Sequence, residues 1–115
     1  MTAPSDSRIA EILGPHRVAL DRCDAVLLDT LRDRLAIIAT ISKLKHTHQI
    51  AVMQHGRIDE IQQKLRTYAA QNDISADLLI NIYDLIIGEA CRLEDRYIAG
   101  LSQSGGDPQN ETAAG

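Results

Sequence analysis

Residues 15–48 read PHRVALDRCDAVLLDTLRDRLAIIATISKLKHTH, and the spacing of apolar side chains in this stretch decides the fold. Leu20, Leu27, Leu28, Leu31, Leu35, Ile38, Ile41 and Leu44 recur at steps of three and four, the signature of one face of an α-helix. Gly14-Pro15 marks the expected start, because proline is tolerated in a first helical turn. Ser7 to Leu13 is then a separate short turn within a lead-in over residues 1–14. A helix of some 33 residues at about 1.5 Å each is a rod of roughly 50 Å, whereas a compact domain of this size has a radius of gyration of about 13 Å. Two shorter helices cannot cover both ends of such an apolar stripe, so its burial calls for a second copy of the chain alongside.

Working outward, a second helix is expected from about Gly56 to Asn72, with Ile58, Ile61, Leu65 and Ala69 on one face and a turn at Asn72-Asp73. A third begins after Ser75 as N-cap, carries Asp77 in its first turn, and continues through Leu78, Leu79, Ile82, Leu85, Ile86, Cys91 and Leu93 to about Gly100. The segment 102–115, rich in Ser, Gly, Asn and Ala, is read as a disordered tail without a functional role. The fold class is therefore all-α, with one helical domain over residues 15–101.

The chain has 115 residues, 44% of them hydrophobic and 24% charged, with a formal net charge of -4. That length allows one domain, and the acidic balance offers no basic footprint for nucleic acid. With three Tyr and no Phe or Trp, the core must be filled by Leu, Ile, Val and Ala. No stretch approaches the roughly 20 apolar residues needed to span a bilayer, and Met1 to Asp6 resembles no targeting segment, so the protein is expected in the cytoplasm. Cys23 and Cys91 fall within helical patterns without CxxC spacing and are read as small core residues. Lys45-His46-Thr47-His48 and His55 invite a metal, but no carboxylate or cysteine cluster completes a site, so none is expected.

Cations stand on or near the apolar faces. Arg34 and Lys45 are 11 residues apart, three helical turns at about 100° per residue, and share a face with Ile38 and Ile41 between them. Arg17 lies 17 residues before Arg34, roughly a quarter turn away, and could join the other two only across a dimer. A surface cation lying along apolar neighbours is the bland alternative for each.

Leu20-Asp21-Arg22-Cys23-Asp24, Leu27-Leu28, Leu31, Arg34, Ile41 and Lys45 resemble the first helix of the helical, type II chorismate mutases. Arg57 at the opening of the second helix and Ile86-Ile87-Gly88-Glu89-Ala90 in the third extend the likeness over about Arg17 to Tyr97. The resemblance implies an intertwined three-helix homodimer with two equivalent sites, each completed by Arg17 of the other chain. It implies that Arg17 and Arg34 bind the carboxylates of a small dicarboxylate substrate, that Lys45 reaches a carboxylate and the ether oxygen, and that Arg57 helps close the pocket. Arginine suits that work because its planar fork binds a carboxylate bidentately and stays charged.

A Claisen rearrangement needs no nucleophile and no cofactor. It needs the enolpyruvyl arm folded over the ring and donors placed where charge grows on the ether oxygen. Lys45 is the first such donor. Glu94 stands where many family members carry glutamine, and it could donate only if protonated, a form that burial beside Ile87 and Cys91 would favour. In that case activity falls as pH rises. The alternative is that Glu94 is merely a solvated member of the run Arg92-Leu93-Glu94-Asp95-Arg96. The expected catalytic residues are thus Lys45, Glu94 and Arg34.

Three positions depart from the family pattern and bear on substrate choice. Ile58 replaces the glutamate that holds the C4 hydroxyl of chorismate, Gln54 replaces an acidic loop residue, and Ala90 replaces a serine. These residues complete the expected binding set with Arg17, Arg34, Lys45, Arg57 and Glu94. Met53-Gln54-His55-Gly56-Arg57 and Glu89-Ala90-Cys91-Arg92-Leu93-Glu94-Asp95 resemble the branch that includes 4-amino-4-deoxychorismate mutases and isochorismate pyruvate lyases. The amino compound is the favoured substrate, although Ile58 offers an ammonium at C4 no acidic partner; chorismate and isochorismate are the alternatives. Outside this chemistry stand a non-catalytic regulatory helix dimer and a helical DNA-binding dimer.

Overall fold

In the computed structural model, which describes residues 2–105 and side chains through residue 101, the chain forms three helices and, among the described residues, no strand. The first, α1, spans Asp6–His48; α2 spans His55–Asn72; α3 spans Ala76–Gly105.

The start of α1 differs from the expectation. Ser5 caps it: its Oγ accepts from the Arg8 backbone N–H at 3.2 Å, and its carbonyl accepts from Ile9 N–H at 2.9 Å. Asp6 in the first turn favours the positive end of the helix dipole. Pro15 therefore sits inside the helix rather than at its start. Proline cannot donate to the carbonyl four residues back, but Glu11 and Pro15 are both exposed, so water can serve the freed carbonyl.

The other end of α1 stops without glycine or proline. Gln49 takes the left-handed conformation at φ 56, Ile50 N–H donates to the Lys45 carbonyl at 2.8 Å, and Gln49 N–H donates to the His46 carbonyl at 3.3 Å. This paired closure is a Schellman turn, and it fixes the backbone on which Lys45 and His46 are carried.

The end of α2 is closed similarly by Asp73 at φ 53, with its own N–H and that of Ile74 directed to the Ala69 carbonyl. Ser75 caps α3 as expected, its Oγ accepting from Leu78 N–H at 3.2 Å. Along α2, Ile58 and Ile61 are half-buried and Leu65 and Ala69 buried, the face predicted from their spacing, and this helix packs against α3.

The apolar residues through which α3 was expected to run are divided between its two sides, with Leu79, Ile86, Cys91 and Leu93 half-buried. Leu78, Ile82 and Leu85 are exposed, Leu85 by 78%, while Leu79, Tyr83, Ile86, Ile87, Ala90, Leu93 and Glu94 are half-buried or buried. Apolar residues surround much of this helix, so spacing alone could not choose the inner side. The helix also takes in residues 102–105 of the expected tail, and the rest of that tail lies outside the described residues.

Two compact units divide the chain, residues 1–36 and 37–115. Within the first, every residue from 21 to 30 is exposed, including Leu27, Leu28 and Cys23, so Cys23 is not the core residue its pattern suggested. Within the second, Leu65, Ala69 and Ala90 form the buried apolar centre, joined by two buried polar residues, Ser42 and Glu94.

Candidate active site

Lys45, in the last turn of α1, meets Glu94 of α3. Its Nζ lies 3.3 Å from both Oε1 and Oε2 and donates a third, shorter bond of 2.6 Å to the Val52 carbonyl. The carboxylate side chain is 4% exposed and the lysine side chain 17%. A charge removed this far from water is kept only when it is paired and hydrogen-bonded. Lys45 has three N–H donors, and here all three have acceptors. Glu94 is therefore separated from the charged run around it, since Arg92, Asp95 and Arg96 are exposed.

Two neighbours keep the surroundings of the pair tight. Ser42, one turn before Lys45, is buried and returns its hydroxyl to the Ile38 carbonyl at 2.8 Å. Ala90, one turn before Glu94, is 6% exposed and brings no polar group. Cys91, half-buried on α3, has its thiol pushed up by burial and then by the negative charge of Glu94, with Lys45 opposing. Such a thiol stays protonated near neutral pH, which fits no nucleophilic role.

The remaining expected residues are defined by their own surroundings. Gln54 is exposed, precedes α2 as its N-cap, and donates to the Ala51 carbonyl at 2.9 Å. Arg57 is exposed and pairs with Glu60 of its own helix at 3.1 Å. Ile58 is half-buried on the packed face of α2. In the unit of residues 1–36, Arg34 is half-buried and Arg17 exposed.

Nothing in the residue pattern marks Val52, because a backbone carbonyl carries no signature of its residue type. His46 and Tyr97 were also missed: their rings meet edge to face at 6.4 Å between centroids and 87° between planes. His46 and His48 are not paired toward one ion, since two residues along a helix is about 200° of rotation. Among the described residues, no group of three or more His, Cys, Asp or Glu is gathered closely enough to hold a metal. No described helix is long and apolar enough to cross a membrane.

In this all-helical chain the candidate site is thus a half-buried lysine held between a buried carboxylate and a backbone carbonyl. A family profile described as chorismate mutase type II matches residues 16–95, and the chain belongs to that family. It is 45% identical over 92 residues to a 4-amino-4-deoxychorismate mutase of Streptomyces pristinaespiralis, covering 80% of this chain and 68% of the relative. It is 36% identical over 91 residues to a protein of the same description from Streptomyces venezuelae, covering 79% of this chain and 88% of that one. Among solved structures, none matches significantly.

Proposed function

We propose that this protein is an isomerase that rearranges 4-amino-4-deoxychorismate to 4-amino-4-deoxyprephenate. The observation that carries the reading is the half-buried Lys45 ammonium, held by Glu94 and Val52 in a chain whose relatives are described as mutases of that compound. The half-buried Ile58 supports it from the other side, because an apolar side chain cannot serve as the acidic anchor for the C4 hydroxyl of chorismate.

In this reading the reaction breaks the ether carbon–oxygen bond as the new carbon–carbon bond forms, with no group transferred to the protein. Arg34 and Arg17 of the partner subunit bind the two carboxylates and hold the folded conformer. Lys45 exchanges part of its internal hydrogen bonding for the ether oxygen, where negative charge grows, and so favours the transition state over the substrate. Glu94 anchors the ammonium; to donate to the ether oxygen itself it would have to take up a proton and release Lys45. The active form is an intertwined homodimer in the cytoplasm, a reading supported by the exposed Leu20, Leu27 and Leu28 of α1, which a second copy would cover.

The test is incubation of the purified protein with 4-amino-4-deoxychorismate, chorismate and isochorismate separately, with products identified by mass spectrometry. A product of unchanged mass from the amino compound is expected. Turnover of chorismate alone would make this an ordinary mutase despite Ile58, pyruvate released from isochorismate would make it a lyase, and silence with all three would leave a non-catalytic dimer. The crossing arginine has its own test: mixed Arg17→Ala and Arg34→Ala chains should regain activity, since one site of each heterodimer is intact, and no recovery despite proven exchange would reject it.

A further inference from the structure

Lysine is a poor positioning device by itself. Its charge sits at the end of four rotatable bonds, and holding it in one place costs side-chain entropy. The Schellman turn after His48 fixes the backbone of Lys45, but it does not fix the spacing between the end of α1 and α3. Two side-chain contacts between these helices bear on that spacing. Lys45 and His46 are adjacent on α1, and the residues they meet, Glu94 and Tyr97, lie one turn apart on α3.

The ring contact has the geometry of a favourable aromatic pair: edge to face, with centroids 6.4 Å apart. His46 Nε2 is buried and makes no hydrogen bond. The imidazole is therefore seated by packing against a ring rather than by a polar partner, and it engages no protein group at that nitrogen through which to pass a proton. A flat, stiff contact next to a flexible ion pair can set a distance that the ion pair alone would leave loose.

We infer that the His46–Tyr97 contact is a spacer that holds the end of α1 at the distance from α3 where Lys45 reaches Glu94, making His46 and Tyr97 positioning residues for the rearrangement. The catalytic part of this inference rests on the function proposed above; the structural part does not. Neither ring touches the reacting atoms in this account, and each acts through Lys45.

The experiment reads both parts in the full chain. The protein has three lysines, of which Lys43 and Lys64 are exposed, so a slowly exchanging ammonium signal in a nitrogen-15 NMR spectrum reports Lys45. Tyr97→Leu and His46→Leu should each broaden or abolish that signal. They should also lower kcat on the order of tenfold, as misplacement of a catalytic group does, with KM within about twofold. Tyr97→Phe and His46→Phe keep a ring and should restore both readouts.

A purely stabilising role would lower the melting temperature of the leucine variants yet leave the ammonium signal and kcat intact, and that result would overturn the inference. Phenylalanine variants as impaired as the leucine ones would overturn it too, by showing that the nitrogen or hydroxyl matters rather than the ring. If one leucine variant does not fold, the other decides. Should the wild-type protein turn over none of the three substrates, the proposed function fails, while the ammonium spectra still decide whether the rings set the Lys45–Glu94 distance.

Discussion

Two glutamates on α3, five residues apart, show what a helix can do with one residue type. At about 100° per residue they point to sides of the helix roughly 140° apart. Glu89 bonds Arg92 one turn along its own helix, through side chains that are 39% and 53% exposed. Glu94 is buried and reaches across to Lys45 on α1. The first pair is local and solvated and can be broken with little consequence. The second joins two helices, and removing either member strands the other in a place with little water.

The largest effect expected from this contrast is that of Lys45→Met. It leaves the Glu94 carboxylate buried without its cation, which should cost about 3 kcal/mol in denaturant unfolding near neutral pH. It should also remove on the order of a hundredfold or more of the turnover if Lys45 stabilises charge on the ether oxygen. Unchanged turnover would end that role, and unchanged stability would place Glu94 with the solvated group.

Glu94→Gln comes next. The amide oxygen can still accept from Lys45, so the loss of stability should be about 1–2 kcal/mol, checked by the same unfolding curve. Its sharper consequence is at Cys91, whose thiol is held up first by burial and then by the Glu94 charge. Removing the charge should bring the thiol part of the way down, visible as a lower midpoint in the pH dependence of alkylation in a Cys23→Ser background. A thiol that does not move would mean that burial alone sets it.

The smallest effects belong to the exposed pair. Glu89 is held below the ordinary carboxylate range by the hydrogen bond from Arg92, so its stabilisation is present above its unfolded value and is lost as pH falls through the folded one. Arg92→Ala should raise the Glu89 midpoint toward the ordinary range, followed by carbon-13 NMR, with no resolvable change in melting temperature at neutral pH. Salt at about 1 M, where the Debye length is about 3 Å, should move Glu89 in the same direction while leaving the Lys45 ammonium signal in place. A melting temperature that falls as far for Arg92→Ala as for Lys45→Met would dissolve the comparison.

Local chemistry made parts of this molecule legible in advance. Ser75 and the Asn72-Asp73 turn could be read because caps and turns depend on a few adjacent residues. The packed side of α2 was legible because its apolar residues occupy a single stripe. The start of α1 was expected at Gly14-Pro15, but the helix begins under Ser5 and runs through both. The end of α1 at His48 was read from the apolar spacing, but its closure by Gln49 was not, since a left-handed glutamine is uncommon and nothing in its neighbours announces it. On α3, Leu78, Ile82 and Leu85 were as apolar as the residues that turned inward.

At the candidate site, Lys45 and Glu94 could be named individually from the likeness to a family, and Ile58 and Ala90 could be marked as departures from it. That Lys45 and Glu94 face each other, that the Val52 carbonyl takes the third donor, and that His46 lies against Tyr97 could not, because each contact joins residues distant in the chain or a backbone atom without a residue signature. Sequence alone determined that α1, α2 and α3 are helices, the turn and cap between α2 and α3, and the charged residues available, since these follow from periodicity and neighbouring chemistry. Tertiary structure alone decided which glutamate of α3 would be buried, because burial is settled by what packs on each side of a helix, and a helix apolar on several sides can be read inward from more than one.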